Sequence, residues 1–181
     1  MREPARNPRE ARDRYLRFLQ GPLSCISPGV LIPTPRYRGN RDELALTHNP
    51  DLLPLKQRAG GHIYFSAGQY FQFIPDDRFE GEWKVRTDGY AYRVTLTDDP
   101  SSELISWHWH PDSRPGTHLH VIAAHAQYGA IDKMHIPTGR VALEEVVLFL
   151  IEDLDVEPRR EDWRDVLASS YERFRTYSTW T

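Results

Sequence analysis

The chain is poor in cysteine, with Cys25 alone, has only two methionines, and contains no long uninterrupted apolar run. A single thiol excludes an internal disulfide framework and fits a reducing compartment. A bilayer-spanning helix needs roughly 20 consecutive apolar residues, so none is expected. The stretch from Met1 to Arg14 is rich in charge and lacks the apolar segment of a secretory leader. The expectation is a cytoplasmic protein with no membrane contact. Charge of one sign is also lacking. A net charge of -3 gives no global pull toward nucleic acid, although a local basic patch remains compatible with it. No internal repeat or low-complexity tract is present.

A length of 181 residues fits one main domain able to bury its own core. Three segments are expected within it. Met1 to Pro22 reads as a basic arm leading into a short helix, Arg12 to Gln20. Its apolar residues are Tyr15, Leu16, Phe18 and Leu19, and Gly21-Pro22 is its stop. The arginines of the arm read as a solvated terminus. Leu23 to Ala59 is broken by prolines at 28, 33, 35, 50 and 54, so extended segments or short strands are expected there rather than a helix. Such a stretch wraps a core or closes over it as a lid.

Gly60 to Thr181 reads as an α+β domain. Short strands are expected at His62 to Ala67 and Gln69 to Ile74, with a turn at Ser66 to Gly68. Two more, Glu82 to Thr87 and Tyr90 to Thr97, flank the hairpin signal Asp88-Gly89, and Tyr90, Tyr92, Val94 and Leu96 face inward. Glu103 to His110 and His118 to Ala123 complete an antiparallel meander of about four to six strands, an ordinary sheet size. Two helices follow, Ala142 to Leu154 and Glu161 to Tyr177. Each has an apolar stripe that needs a surface to cover. Strands first and helices last predicts an antiparallel sheet with two C-terminal helices packed on one face, plus the N-terminal helix.

The chemistry concentrates in two His-x-His pairs, His108-Trp109-His110 and His118-Leu119-His120, joined by a turn-forming segment that contains Arg114. Side chains alternate along a strand, so each pair shares one face, while Ile105, Trp107 and Trp109 share the other and read as core. A hairpin register with His110 opposite His118 also sets His108 opposite His120, gathering four imidazoles into one patch. His135 follows in Lys133-Met134-His135-Ile136-Pro137-Thr138-Gly139-Arg140, just before the best helix. Thr138 and Arg140 then lie near a helix N-terminus, where anions bind well. A phosphate site of His135, Arg140 and the nearer His-x-His member is the expectation.

The segments Ser106-Trp107-His108-Trp109-His110-Pro111, Thr117-His118-Leu119-His120, His135-Ile136-Pro137-Thr138-Gly139-Arg140 and Leu143-Glu144-Glu145-Val146-Val147 resemble the TumE-like family of bacterial toxin-antitoxin proteins, over roughly residues 60 to 155. The resemblance implies a growth-inhibiting toxin, a helix-turn-helix antitoxin as partner, and RNA as substrate. The long N-terminal part departs from the compact members of that family. A homodimer is a further expectation.

Histidine titrates near neutrality, so clustered imidazoles can supply a base and an acid for metal-independent ribonuclease chemistry. His108, His110, His118, His120 and His135 are the candidates for proton transfer. Arg140, Thr138 and Arg114 are the candidates for holding phosphate and its developing charge. That reading needs no cofactor. Two alternatives stay open. Neutral imidazoles on adjacent strands also ligate zinc, copper or nickel. The sheet and basic arm could equally serve a non-catalytic regulatory or protein-binding module. The bland reading is that histidines beside tryptophans cover apolar surface while keeping a polar tip wet.

Overall fold

The computed structural model describes residues 5–35, 44–49, 52–110, 116–121 and 135–177, with the backbone path alone at 32–35, 44–49, 135 and 177. Helix α1 spans Pro8–Ser24. It starts earlier than the apolar pattern implies because Asn7 caps it, its side-chain oxygen accepting from the Glu10 amide at 2.9 Å, and Pro8 occupies the first turn. It also runs through Gly21-Pro22, which was expected to stop it. A proline in the last turn forfeits one hydrogen bond, and burial of Leu19 and Leu23 on either side holds that turn in place.

The Pro-rich segment supplies strands β1 (Val30–Pro35), β2 (Leu44–Asn49) and β3 (Leu53–Lys56). Pro33, Pro35 and Pro54 all lie in strands with a single sheet neighbour, where a missing amide costs no ladder bond on the open side. Next come β4 (His62–Pro75) and β5 (Trp83–Thr95), of 14 and 13 residues, which form one long hairpin. Neither expected internal turn exists. The chain runs straight through Ser66 to Gly68, with Gly68 opposite Ala91. At Asp88-Gly89 the pairs are Tyr70 with Gly89 and Phe71 with Thr87, so Asp88 is the extra residue of a β-bulge rather than part of a hairpin turn. The reversal lies between Pro75 and Trp83, closed by the Asp76 amide donating to the Glu82 carbonyl at 2.7 Å.

Strands β6 (Glu103–Trp109), β7 (Thr117–Val121) and β8 (His135–Pro137) complete an eight-stranded antiparallel sheet of order β1-β2-β4-β5-β6-β7-β8, with β3 beside β4. Helices α2 (Leu143–Glu152) and α3 (Trp163–Tyr177) follow. The fold is therefore α+β, with an N-terminal helix and two C-terminal helices.

One sheet face forms the core. Phe65 and Phe71 of β4, Tyr90, Tyr92 and Val94 of β5, and Trp107 and Trp109 of β6 meet Leu23 of α1 and Val146, Val147, Leu150 and Ile151 of α2. Trp107 packs edge-on to Phe149 with ring centres 5.4 Å apart. The polar groups in this layer are satisfied. Gln69 links the hydroxyls of Tyr15 and Tyr92 through its two amide atoms. Leu96, expected inward, is 45% exposed, because the register shifts at Thr95 and the strand ends there. Among the described residues no helix is long and apolar enough to cross a membrane.

Candidate functional site

The histidines occupy the sheet face opposite that core. Strands β6 and β7 pair as expected, but with His108 opposite His118 and Ser106 opposite His120, two residues away from the anticipated offset. An offset of two preserves the face of every side chain, so alternation could not distinguish the two registers. The patch survives the change. His108 lies 5.6 Å from His118, nearly parallel at 13°, and 5.1 Å from His120, ring centre to ring centre. His118 and His120 are 4.8 Å apart, and His110, at the end of β6, is 5.9 Å from His108. His135 takes the register position opposite His120, which extends a row Arg93, Ser106, His120, His135 across four strands.

Two rings have their tautomers set by fixed partners. The buried Ser106 hydroxyl donates to Glu103 Oε1 at 2.5 Å, so it accepts from His108 Nε2–H at 2.9 Å. The lone pair of His108 is then on Nδ1. Glu103 is itself held by Arg93 at 2.6 Å. His118 Nδ1 contacts the Gly116 carbonyl at 3.0 Å, and a carbonyl can only accept, so the His118 lone pair is on Nε2. Gly116 has φ of +81°, a conformation that suits glycine and brings this carbonyl back toward its own strand. Burial, foremost, pushes the His108 pKa from 6.5 down to about 4. His120, His118 and His110 act in the same direction and Glu103 against them. His108 is neutral at neutral pH.

Two of the three expected phosphate residues, Thr138 and Arg140, are among the described residues. Arg114 lies outside the described residues. Thr138 is tied to β7, its carbonyl accepting from the Thr117 hydroxyl and its amide donating to the Thr117 carbonyl at 3.3 Å; its own hydroxyl is buried with no hydrogen-bond partner among the described residues. The Arg140 guanidinium sits 4.0 Å from the centre of the Trp109 ring. Trp109 belongs to the core-side face of β6. Helix α2 begins only at Leu143, and Glu145 already accepts from the Ala142 amide at 2.7 Å, meeting one of the amides that would otherwise face an anion. Cation–π attraction to Trp109 accounts for where Arg140 rests.

Sequence reasoning missed Glu103, Ser106 and Arg93. Ser106 was within reach, because it precedes His108 by two and must share its face. Glu103 was not. It joins this group through the shift in register at Thr95. Among the described residues, no three His, Cys, Asp or Glu side chains stand so as to hold a metal ion. No protein-family model, curated protein or solved structure matches the chain. The site is therefore read from its own geometry.

Proposed function

We propose that the histidine face is a proton-transfer site that cleaves RNA phosphodiesters without a metal, in a toxin-like protein partnered by a helix-turn-helix antitoxin. The observation that carries the chemistry is the stacked pair His108 and His118, 5.6 Å apart, with tautomers set by Ser106 and the Gly116 carbonyl. The toxin role and the partner rest on the sequence motifs alone.

His108, neutral at neutral pH with its lone pair on Nδ1, is the ring able to take a proton, and its depressed pKa makes it a weak base. Its Nδ1 takes the ribose 2′ proton as the 2′ oxygen attacks phosphorus. His118 in its protonated form keeps Nδ1–H on Gly116 and gives its Nε2 proton to the departing 5′ oxygen. The products are a 2′,3′-cyclic phosphate and a free 5′ hydroxyl, and the enzyme is left with His108 protonated and His118 neutral. General acid–base catalysis of this kind contributes about 10²–10⁴-fold, so His108→Ala and His118→Ala should each lose activity on that scale. Cleavage of a short RNA, with EDTA present and with a 2′-O-methyl substrate as control, tests the reading. Full activity in both alanine variants would remove it.

A second reading has an observation of its own. Ring nitrogens tied back to a carbonyl and to a serine–carboxylate chain are how ligating histidines are usually oriented, and His108, His118 and His120 are mutually 4.8 to 5.6 Å apart, although as they stand the three rings do not converge on one ion and would have to turn to share it. Elemental analysis of the purified protein separates the two. Stoichiometric zinc, copper or nickel, with activity lost on chelation and restored by that metal, would favour the metal site.

A further inference from the structure

The helical layer contains a second chemical feature, remote from the histidine face and independent of its reading. A cleft of about 540 Å³ opens between α1 and α3. Its α1 wall is Arg14, Arg17, Phe18 and Gly21, a stripe at spacings of three and four; its α3 wall includes Val166, Ser169, Ser170 and Arg173, spaced likewise. Helix faces that meet in a core ordinarily present apolar residues to each other. Here they present three guanidinium groups, and a Cβ added at Gly21 would meet nothing within 4 Å.

The charges are not balanced from within. Arg14 is paired with Glu10 at 2.7 Å. Arg17 is exposed and makes no ion pair or hydrogen bond among the described residues. Arg173 bonds to the Ser169 carbonyl of its own helix at 3.3 Å and forms no direct ion pair among the described residues, acting on the Glu144 carboxyl only through space. Asp165 lines the cleft but forms no ion pair with any of the three. Behind Ser170 lies Glu144, 3% exposed, which accepts from the Ser170 hydroxyl at 2.5 Å. Burial raises its pKa above the usual carboxylate value and so weakens it as a counter-ion. Arg17 and Arg173 thus leave positive charge at the two walls of the cleft, which favours an anion between them.

We infer that this cleft binds a small phosphate monoester carrying an apolar or aromatic group, of mononucleotide size. Phosphate offers more acceptor oxygens than a carboxylate, and guanidinium forks match them two at a time. The volume well exceeds that of inorganic phosphate. Phe18 and Val166 supply the apolar wall for the remainder of the ligand, and the Ser169 and Ser170 hydroxyls add polar positions.

Isothermal titration calorimetry of the full chain with adenosine 5′-monophosphate, inorganic phosphate and adenosine tests this inference. The nucleotide should bind most tightly, phosphate more weakly and adenosine not measurably, and binding should weaken as salt is raised. Arg17→Ala and Arg173→Ala, both at exposed positions, should each reduce nucleotide affinity by about tenfold or more. Arg164→Ala, an exposed arginine of α3 that lies over Trp163 outside the cleft, should leave it unchanged. The inference is overturned if neither phosphate compound binds at millimolar concentration, if adenosine binds as well as its monophosphate, or if the Arg17 and Arg173 variants bind like the parent.

Discussion

His108 sits in an environment unlike that of a surface histidine. Its depressed pKa makes a signed statement about stability. Between about pH 4 and 6.5 the unfolded chain binds a proton at this position that the folded chain does not. Its contribution is therefore fully present above 6.5 and is lost as pH falls toward 4. NMR titration should give a His108 midpoint near 4, and His108→Gln should flatten the pH dependence of urea stability across that window. A midpoint at or above 6.5 would contradict the burial argument. Glu144 titrates with the opposite sense. Its pKa is raised, so the native state is penalised as pH climbs through it and the carboxylate ionises. Glu144→Gln keeps an acceptor for Ser170 and should raise the melting temperature at pH 8 while changing little at pH 4. Arg140 offers a contrast to both. Stacked on Trp109, it should tolerate Arg140→Lys at a cost of about 0.5–1 kcal/mol in stability, with RNA cleavage unchanged. A selective loss of cleavage in that variant would return Arg140 to the phosphate role that its sequence position implies.

Elements depend on features that propensity describes only in part. Helix α1 begins at Pro8 because of a cap, and Asn7→Ala should destabilise the protein by about 1 kcal/mol, measured by chemical denaturation, without touching the histidine face. The hairpin of β4 and β5 shows how one local signal supports two outcomes. Asp-Gly is favoured where the backbone must leave the regular strand, and that describes a tight turn and a bulge alike. Which one forms is settled by the partner strand. Tyr64 to Pro75 supplies a continuous ladder on both sides of Asp88, so the chain absorbs the extra residue and continues. Deleting Asp88 removes the extra residue and leaves the Tyr70–Gly89, Phe71–Thr87 and Phe73–Val85 pairs in place on their present faces, so Phe73 and Val85 keep their packing against the core. The deletion should unfold at nearly the same urea concentration as the parent; a clear loss of stability would mean that the bend made by the bulge is itself required.

At the scale of the molecule, the sheet separates two chemistries. The core-side face is covered by helices through Tyr92, Trp107 and Leu150, and Leu150→Ala, at a fully buried position, should cost about 2–5 kcal/mol. Its other face carries the imidazoles, and the helical layer carries the arginine cleft. The sequence by itself determined the parity of His108, His110, His118 and His120, the core side of Trp107 and Trp109, the strands that bear them and the two closing helices. These follow from periods of two and 3.6 within a few residues, which the chain expresses locally. Tertiary structure decided the rest: the offset of two between β6 and β7, the bulge in place of a turn, the pairing of the Pro-rich segment into three strands, the Glu103–Ser106–His108 chain, and the landing of Arg140 on Trp109. Each is a choice between arrangements that satisfy the same local pattern equally well. Pairing energies between segments distant in sequence are what distinguish them.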